Sequence, residues 1–459
     1  MDGKLWVELL DAAGNENVSH HTIDLVSYSY DASDHFGRPQ AGVWATDTHQ
    51  VSRILKWAHR HRVAVIARGA GTSLSGMTVP SAGGIVLDMS RMDQILSLRV
   101  PDRLVILQPG VVYADLQETL APHGFFFPPD PASGSVCTIG GNVATNAGGI
   151  RGAKYGVTQD YVLGLEMVLA DGRIMRTGSK CMKSVSGYEL TKAFVGSEGT
   201  LGVITEITLK IHPVPLHTVT ASIAFKTLSD AGRAVSRIVQ DGIVPSVMEI
   251  VDAVCVGILR RQPELEVPKV EALVLLETDG QAAEVAAQEM KRALAIATDC
   301  GGMHLKIARS REEAAKLWQA RRALGGIITR LRPNFAVEDV TVPISRVPEL
   351  LAAVQDISRR YNVEIATMGH AGDGNLHPAF TFDRSNAEEV DRVEKATSEL
   401  FKVTVELEGT ITGEHGIGLS KAAYLPWEHD ATALRMMKAL KQAFDPKNIL
   451  NPGKMGLDH

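Results

Sequence analysis

The chain has 459 residues, more than one hydrophobic core usually serves, so two or three domains are expected. Hydrophobic residues make up 45 % and charged residues 22 %, and a net charge of -6 lacks the basic character of nucleic-acid-binding proteins, so we expect no nucleic-acid partner. Four scattered cysteines without a C-x-x-C pair argue against a disulfide framework, an iron-sulfur cluster or a zinc ribbon.

The N-terminal residues and the hydropathy pattern indicate an expected location. Residues 1–21 lack the basic region and apolar run of a secretory signal, and they are too acidic for a transit peptide. Because no stretch reaches 18 uninterrupted apolar residues, we expect no transmembrane segment. The sequence predicts a cytoplasmic protein, with peripheral attachment to a membrane left open.

In the first part of the chain, helix and strand patterns alternate. Residues 49–60 have the spacing of an amphipathic helix, and a second helix is expected at residues 112–124. Short apolar runs predict strands at residues 63–67, 84–90 and 103–110. This alternation favours an α/β or α+β domain. Residues 128–156 are rich in glycine and proline without periodicity, which predicts a long functional loop.

The pattern changes after Pro213 and Pro215, which mark an expected domain boundary. The next segments alternate between strand and helix, as in β-α-β units that form a sheet backed by helices. The predicted strands are residues 219–227, 271–278, 363–369 and 378–383, and the predicted helices are residues 228–242 and 282–301. Residues 409–425 predict a strand, a loop and a helix.

Three glycine-rich loops of the first part have the composition of a nucleotide site. After the strand at residues 63–67, Gly69 and Gly71 let backbone N–H groups approach a phosphate. The spacing differs from the dinucleotide motif G-x-G-x-x-G, and the alternative for this loop alone is an ordinary turn. Two more loops, residues 137–149 and 194–205, favour a long ligand with a phosphate-rich middle and a flat ring.

The stretch GHAGDGNLHP, residues 369–378, sets His370 and His377 seven positions apart. A glycine-bearing loop can fold back so that both imidazoles converge, and Glu414 can add a carboxylate oxygen. Two histidines and one carboxylate leave coordination positions open for substrate, unlike a closed structural site. The alternative is that both histidines are hydrogen-bonded residues of a turn between strands.

Several motifs together resemble one flavoprotein family. They are RGAGTSLSG, PDPAS followed by CTIGGNVATNAGG and KYG, GSEGTLGVIT, HAGDGNLHP, GEHGIG and FDPKNILNPGKM, and they span roughly residues 25–455 in family order. The chain resembles the FAD-linked 2-hydroxy-acid dehydrogenases, the group of the glycolate oxidase FAD subunit and D-lactate dehydrogenase. This group lies within the vanillyl-alcohol-oxidase-type flavoproteins.

The resemblance implies an α+β protein in three segments. Residues 1–213 would form a two-subdomain FAD-binding domain of the vanillyl-alcohol-oxidase type. Residues 214–424 would form a C-terminal α+β substrate cap domain that carries the metal and catalytic loops. Residues 425–459 would return to the FAD domain.

The resemblance also implies which residues hold the flavin. The first loop corresponds to the pyrophosphate cradle, the second to the isoalloxazine and its linker, and the third to the adenine side. The implied FAD-binding residues are Arg68, Gly69, Ala70, Gly71, Thr72, Ser73, Gly76, Pro129, Asp130, Ser133, Thr138, Gly141, Asn142, Thr145, Asn146, Glu198, Gly199, Gly202, Val203 and Ile204. Because the cradle contains no histidine, where some relatives attach the flavin covalently, we expect a noncovalent FAD.

Three catalytic roles follow from the same resemblance. His370, His377 and Glu414 fall on the family's metal ligands, and zinc or manganese suits such a mixed nitrogen and oxygen shell. His415 is the expected base for the substrate hydroxyl, and without the resemblance a helix cap explains it equally well. Arg321 is expected to bind the substrate carboxylate, whereas an arginine pair on a helix indicates surface charge when judged alone.

The expected reaction is oxidation of a small 2-hydroxy acid, glycolate or D-lactate, to the 2-oxo acid by hydride transfer to flavin N5. Where D-2-hydroxyglutarate dehydrogenases have a lysine, this chain has Val337 or Glu338, so a second substrate carboxylate would lose its partner. A D-2-hydroxyglutarate-type dehydrogenase and a non-catalytic flavin-binding subunit of a glycolate oxidase complex stay open as alternatives. The implied partners are an electron acceptor (a partner protein, a quinone or oxygen) and the other chains of a larger complex or a homodimer.

Overall fold

The computed structural model describes residues 2–262 and 267–458, which fold into two compact units. Unit 1 contains Met1–Gly148, Val157–Val214 and Glu414–His459, and unit 2 contains Gly149–Gly156 and Pro215–Gly413. Met1 and His459 lie outside the described residues. They are the end residues of the predicted segments 1–213 and 425–459. Throughout residues 2–262 and 267–458, every helix is too short or too polar to span a membrane.

Unit 1 contains two larger sheets and a short ladder in its described residues. Its strands are β1 (Val18–Ser19), β2 (Ala41–Trp44), β3 (Val65–Arg68), β4 (Ile85–Asp88), β5 (Ile95–Arg99), β6 (Leu104–Leu107), β7 (Phe125–Phe126), β8 (Val162–Val168), β9 (Ile174–Gly178), β10 (Val203–Lys210) and β11 (His212–Pro213). The first sheet has the order β1-β2-β4-β3, in which β2, β4 and β3 are parallel. The second sheet is antiparallel, with the order β5-β6-β10-β8-β9.

Unit 2 is organised around one large sheet in its described residues. Its strands are β12 (His217–Phe225), β13 (Val247–Val251), β14 (Ala272–Gly280), β15 (Met303–Ile307), β16 (Asn334–Val337), β17 (Val340–Thr341), β18 (Glu364–His370) and β19 (Asn375–Phe382). They follow the order β15-β12-β14-β13-β18-β19-β16, with β17 also paired to β19. Every neighbouring pair of these strands is antiparallel.

The helices surround these sheets, and α3 shows how the sequence determines one of them. In chain order they are α1 (Gly3–Ala13), α2 (Thr22–Ser27), α3 (Thr48–His61), α4 (Tyr113–Leu120), α5 (Ile139–Thr145), α6 (Gly152–Tyr155), α7 (Leu190–Phe194), α8 (Leu228–Gln240), α9 (Ala253–Leu259), α10 (Ala283–Asp299), α11 (Arg311–Ile328), α12 (Val347–Tyr361), α13 (Ala387–Glu406), α14 (Leu425–Glu428) and α15 (Ala431–Phe444). α3 begins where the Asp47 carboxylate accepts a hydrogen bond from the Gln50 N–H (2.9 Å). It buries an apolar face that includes Ile54 and Leu55, and it ends at Arg62 in the left-handed conformation.

The chain after α15 pairs with β3, the strand that leads into the first glycine-rich loop. The N–H of Val65 donates to the carbonyl of Ile449 (2.7 Å), and the N–H of Asn451 donates to the carbonyl of Val65 (2.9 Å). The buried Asp445 carboxylate accepts hydrogen bonds from the N–H groups of Ile449 (3.1 Å) and Leu450 (2.7 Å). These bonds fix the C-terminal residues beside the loop that follows β3.

The structure corrects two expectations about secondary structure. Residues 128–156, predicted as one loop, contain α5 and α6, because short glycine-rich helices leave no periodic apolar pattern. At residues 409–425 the predicted strand is reduced to a single bridge between Thr341 and Thr410, and the predicted helix is reduced to a 3₁₀ turn at Ala422–Tyr424. The other predicted helices and strands coincide with observed elements, with ends shifted by a few residues.

Candidate functional site: a glycine-lined cavity and a buried ionic cluster

Unit 1 contains a cavity of about 830 Å³ lined by the three glycine-rich loops. Its lining includes Arg68, the last residue of β3, and the N-terminal end of α5. Of the residues predicted to hold the flavin, all line it except Gly76, Pro129, Asp130 and Asn146. The lining also includes residues that the sequence did not single out, among them Tyr30, Asp31, Met77, Pro109 and Pro131.

The first loop leaves room for a ligand because its glycines carry no side chain. A Cβ on Gly69 would lie 2.3 Å from Oγ1 of Thr138, and a Cβ on Gly71 would lie 2.1 Å from Nη2 of Arg68. Gly71 also has a φ of +71°, which side chains disfavour. Arg68 itself is held by hydrogen bonds from Nη1 to the carbonyl of Tyr30 (2.8 Å) and to Oγ1 of Thr78 (3.2 Å). The loop therefore combines an open backbone with a fixed cation, which fits a ligand that carries phosphates.

We predict that Gly71→Ala will lower the FAD content of the purified protein at least about tenfold, because the added Cβ collides with the Arg68 guanidinium beside the cavity. Gly124→Ala is the matched control. Gly124 has a similar φ of +73°, but nothing lies within 4 Å of its Cβ position and it does not line the cavity. Flavin absorbance per protein after gel filtration gives the comparison. If Gly124→Ala lost as much FAD as Gly71→Ala, backbone strain alone would explain the loss.

Glu414 and His415 also line the cavity of unit 1, and the residues after them are tightly held. The Ser75 hydroxyl donates to the carbonyls of His415 (3.1 Å) and Gly416 (3.0 Å). The Glu198 carboxylate accepts hydrogen bonds from the N–H groups of Ile417 (2.8 Å) and Gly418 (2.9 Å). Complete burial raises the pKa of Glu198 from 4.5 to about 7. The backbone after His415 is thus fixed from two sides.

In unit 2 the two histidines of the GHAGDGNLHP stretch lie together. The turn between β18 and β19 folds back, and the pairing places His377 opposite Met368 and His370 opposite Asn375. Because alternate residues of a strand share a face, His370, Met368 and His377 point to the same side of the sheet. The two imidazole centroids are 5.0 Å apart, and both residues are buried. A hairpin therefore brings the two imidazoles together.

Glu249, on β13, connects His370 with Arg321 of α11 in unit 2. Its Oε2 accepts a hydrogen bond from Nε of Arg321 (2.6 Å), and its Oε1 contacts Nδ1 of His370. The Glu249 side chain is 0 % exposed and that of Arg321 is 14 % exposed. Burial on its own raises the pKa of Glu249, but the charges of Arg321 and His370 outweigh it and hold the pKa below its usual value. The three residues form one buried ionic cluster.

The other histidine also has a carboxylate neighbour in unit 2. Oδ1 of Asp339, which is fully buried, lies 3.7 Å from Nδ1 of His377. Histidines that ligate metals are often backed by a carboxylate in this manner. The sequence did not single out Glu249 or Asp339. Glu249 could have been found from its position in the apolar strand VMEIV. A glutamate is rarely buried unless it has a charged partner, so its place there indicates one.

Comparison with known proteins identifies the family. The model of the FAD binding domain matches residues 39–178, and the model of FAD linked oxidases, C-terminal domain, matches residues 214–455. The chain belongs to the FAD-linked oxidases. The glycolate oxidase subunit GlcD of Bacillus subtilis is 42 % identical over 98 % of this chain and 96 % of that protein. The mitochondrial D-lactate dehydrogenase [cytochrome] of Arabidopsis thaliana is 34 % identical over 91 % of this chain and 73 % of that protein.

A solved structure of p-cresol methylhydroxylase with substrate bound has the same fold as this FAD-linked oxidase, with a TM-score of 0.82. At 18 % identity, the match covers 99 % of this chain and 96 % of that one. The predicted fold class is therefore confirmed: an α+β protein with a vanillyl-alcohol-oxidase-type FAD-binding domain and an α+β cap domain. The predictions that the protein is an FAD-linked oxidoreductase and that FAD is its cofactor are confirmed as well.

Proposed function

We propose that the protein is an FAD-dependent dehydrogenase that oxidises a small 2-hydroxy acid, glycolate or D-lactate, to the 2-oxo acid. The relatives named glycolate oxidase subunit and D-lactate dehydrogenase support this substrate class. The observation that carries the proposal is the position of His415, which lines the glycine-cradled cavity that fits FAD. A proton acceptor beside a flavin is the minimum that oxidation of an alcohol requires.

In this mechanism, two residues of this chain act on the substrate: one accepts its hydroxyl proton and the other binds its carboxylate. When bound, FAD supplies the acceptor for the hydride that leaves the substrate α-carbon. His415 takes the hydroxyl proton, because an imidazole near neutral pH both accepts and releases protons. Arg321 binds the substrate carboxylate, and the bond from its Nε to Glu249, together with the contact between its Nη1 and Sδ of Met368 (3.3 Å), fixes the plane of the guanidinium.

The predicted FAD-binding residues that line the cavity, apart from the carboxylate of Glu198, are proposed to hold the flavin without a covalent bond. Arg68 and the backbone of residues 69–73 would contact the pyrophosphate, since they form the open cradle with its fixed cation. The segments that contain Thr138 and Glu198 line the same cavity and would accommodate the rest of the flavin. The cradle contains no histidine, which supports noncovalent binding.

A divalent metal, zinc or manganese, is proposed as a further cofactor; it would supply a Lewis acid for the substrate hydroxyl. The paired imidazoles of His370 and His377, each beside a buried carboxylate, fit a metal in unit 2. The assignment of Glu414 as a further ligand rests on the sequence resemblance and stays a prediction. Metal analysis of His370→Ala, His377→Ala and Glu414→Ala proteins after dialysis tests all three, and an unchanged metal content would remove that residue from the set.

We further propose that the protein works with an electron acceptor other than NAD, as one subunit of a larger complex. The relatives named as glycolate oxidase subunits, and one named a cytochrome-linked dehydrogenase, support this arrangement. A partner protein, a quinone or oxygen can serve as acceptor, and a cytoplasmic location with a peripheral membrane contact is compatible with each of them. A homodimer is the alternative assembly, and the mass of the native complex distinguishes the two.

Anaerobic reduction of the purified yellow protein tests the function. Glycolate and D-lactate are expected to bleach the flavin, whereas D-2-hydroxyglutarate is expected to react at least about tenfold more slowly, because a second carboxylate loses its partner. Treatment with a chelator should slow bleaching by the same substrates if the metal participates. Rapid bleaching by D-2-hydroxyglutarate alone would favour the diacid alternative, and no bleaching by any of the three would favour the non-catalytic subunit.

A further inference from the structure

Glu198 was predicted from the sequence to contact the flavin, but its carboxylate in the structure faces the chain after His415. Its two oxygens each accept a separate backbone hydrogen bond, from Ile417 (2.8 Å) and Gly418 (2.9 Å). A carboxylate that accepts one N–H at each oxygen defines both the position and the tilt of the peptide segment. The side chain is buried, so water competes little for these bonds.

The backbone of Glu198 is itself fixed, which makes the residue a rigid support. Its N–H donates to the carbonyl of Ala144 (2.8 Å), and its carbonyl accepts from Nδ2 of Asn451 (2.6 Å). Glu198 has a φ of +53°, a left-handed conformation that costs roughly 1 kcal/mol for a residue with a side chain. Such strain persists where the surroundings determine the conformation, and it concentrates at functional sites.

The segment that Glu198 holds has no room to move. A Cβ on Gly416 would lie 1.9 Å from Cε of Met77 and 2.9 Å from Oε1 of Glu198, and a Cβ on Gly418 would lie 2.0 Å from the carbonyl oxygen of Ser75. The Leu419 N–H also donates to the carbonyl of Ser75 (2.7 Å). Gly418 meets a backbone atom and both glycines have a positive φ, so the segment is packed closely against its supports.

We propose that Glu198 is a positioning residue, whose carboxylate holds residues 415–418 so that His415 faces the flavin cavity. Ser75 completes the support by donating to the His415 carbonyl from the other side. The inference rests on the proposed role of His415 as the base. It gives the glutamate of the third glycine-rich loop a function in proton transfer, exerted through the backbone rather than through contact with the flavin.

Glu198→Gln tests the inference on the FAD-bound protein, with anaerobic flavin reduction by D-lactate and glycolate as the readout. The amide keeps the size of the side chain, but it presents an NH₂ group to one of the two backbone N–H groups. We expect the limiting rate of reduction to fall about 10- to 100-fold, because small displacements of reacting groups have effects of this size. The FAD content and the substrate dissociation constant should stay unchanged. Glu198→Asp, which keeps the charge but shortens the reach, should lower the same rate if the glutamine variant does not fold.

Asp445→Asn is the matched control. Asp445 is also buried in unit 1 and accepts two backbone N–H groups, from Ile449 and Leu450, but it additionally pairs with Nζ of Lys441 (2.6 Å) and does not line the cavity. This variant should lose stability without a lower limiting rate of flavin reduction. A loss of FAD from Glu198→Gln, or equal rates in the Glu198→Gln and wild-type proteins, would overturn the positioning role.

His415→Gln, measured in parallel, separates this inference from the proposed function. If His415→Gln stops flavin reduction while Glu198→Gln reacts at the wild-type rate, only the positioning role fails. If His415→Gln reacts at the wild-type rate, the proposed base itself fails. In the double variant, Glu198→Gln should add no further loss to that of His415→Gln, because both changes act on the same imidazole. An additive loss would mean that Glu198 acts elsewhere.

Discussion

Replacing Glu249 with glutamine is expected to lower the free energy of unfolding by about 3 kcal/mol and to raise the KM for a 2-hydroxy acid at least about tenfold. The carboxylate is completely buried between Arg321 and His370, and an amide cannot neutralise the Arg321 guanidinium. Removing one partner of a buried ionic cluster leaves the other charges without compensation, which is costlier than losing a surface pair. Arg321 also loses the bond that fixes its guanidinium plane. Denaturant unfolding and steady-state kinetics measure the two effects.

Glu389→Gln is the control for this prediction. Glu389 pairs with Arg332 through both of its oxygens in unit 2, but the Arg332 side chain is 38 % exposed, so this pair contributes about 1 kcal/mol or less. Equal stability losses in the two variants would contradict the assignment of Glu249 to a buried cluster. A lowered stability with unchanged KM would contradict its role toward Arg321.

The pH dependence of the Glu249 effect follows from the direction of its pKa shift. The pKa of Glu249 lies below its ordinary value of 4.5 in the folded protein. The carboxylate therefore stabilises the fold fully above pH 4.5, and this contribution is lost as the pH falls through the lower folded-state pKa. The stability difference between the wild type and Glu249→Gln should be constant near neutral pH and shrink only in strong acid.

Sequence periodicity predicted those elements whose apolar residues repeat regularly. α3, α8 and α10 bury one face and expose the other, so their spacing alone identifies them as helices. α5 and α6 escaped prediction because glycine and small residues give no such repeat. The direction of strand pairing in unit 2 was not predicted, because it depends on how distant segments meet rather than on the composition of any one strand.

The residues of the candidate site likewise divide into those that the sequence predicts and those that it does not. The cavity-lining loops were predictable, because glycine and hydroxyl residues in three loops indicate a backbone cradle, and the motif order supplied the family. Glu249 and Asp339 were not predictable as neighbours of the two histidines, because Glu249 is 121 residues from His370 along the chain. Glu198 lines the same cavity as the other predicted loops, but the direction of its carboxylate depends on a hydrogen bond from Ile417, 219 positions away.

Replacing His415 with glutamine is expected to reduce the limiting rate of flavin reduction by about 10²- to 10⁴-fold, the usual contribution of a general base. Glutamine retains a hydrogen-bonding group of similar length but does not accept a proton at neutral pH. FAD should remain bound, because the cradle around Arg68 does not include His415. Stopped-flow measurement of flavin bleaching by D-lactate gives the rate without interference from the electron acceptor.

His212→Gln and added imidazole decide whether the loss reflects proton transfer. His212 is a partly buried histidine of unit 1 that packs against Phe126 and does not line the cavity, so its replacement should leave the rate unchanged. In His415→Ala, the cavity gains space where the ring was, and imidazole from the buffer should restore part of the lost rate. Full activity in His415→Gln would exclude it as the base. If imidazole does not restore the rate of flavin reduction and FAD is released, His415 has a structural role. A misfolded cradle would lose the flavin before it impaired proton transfer.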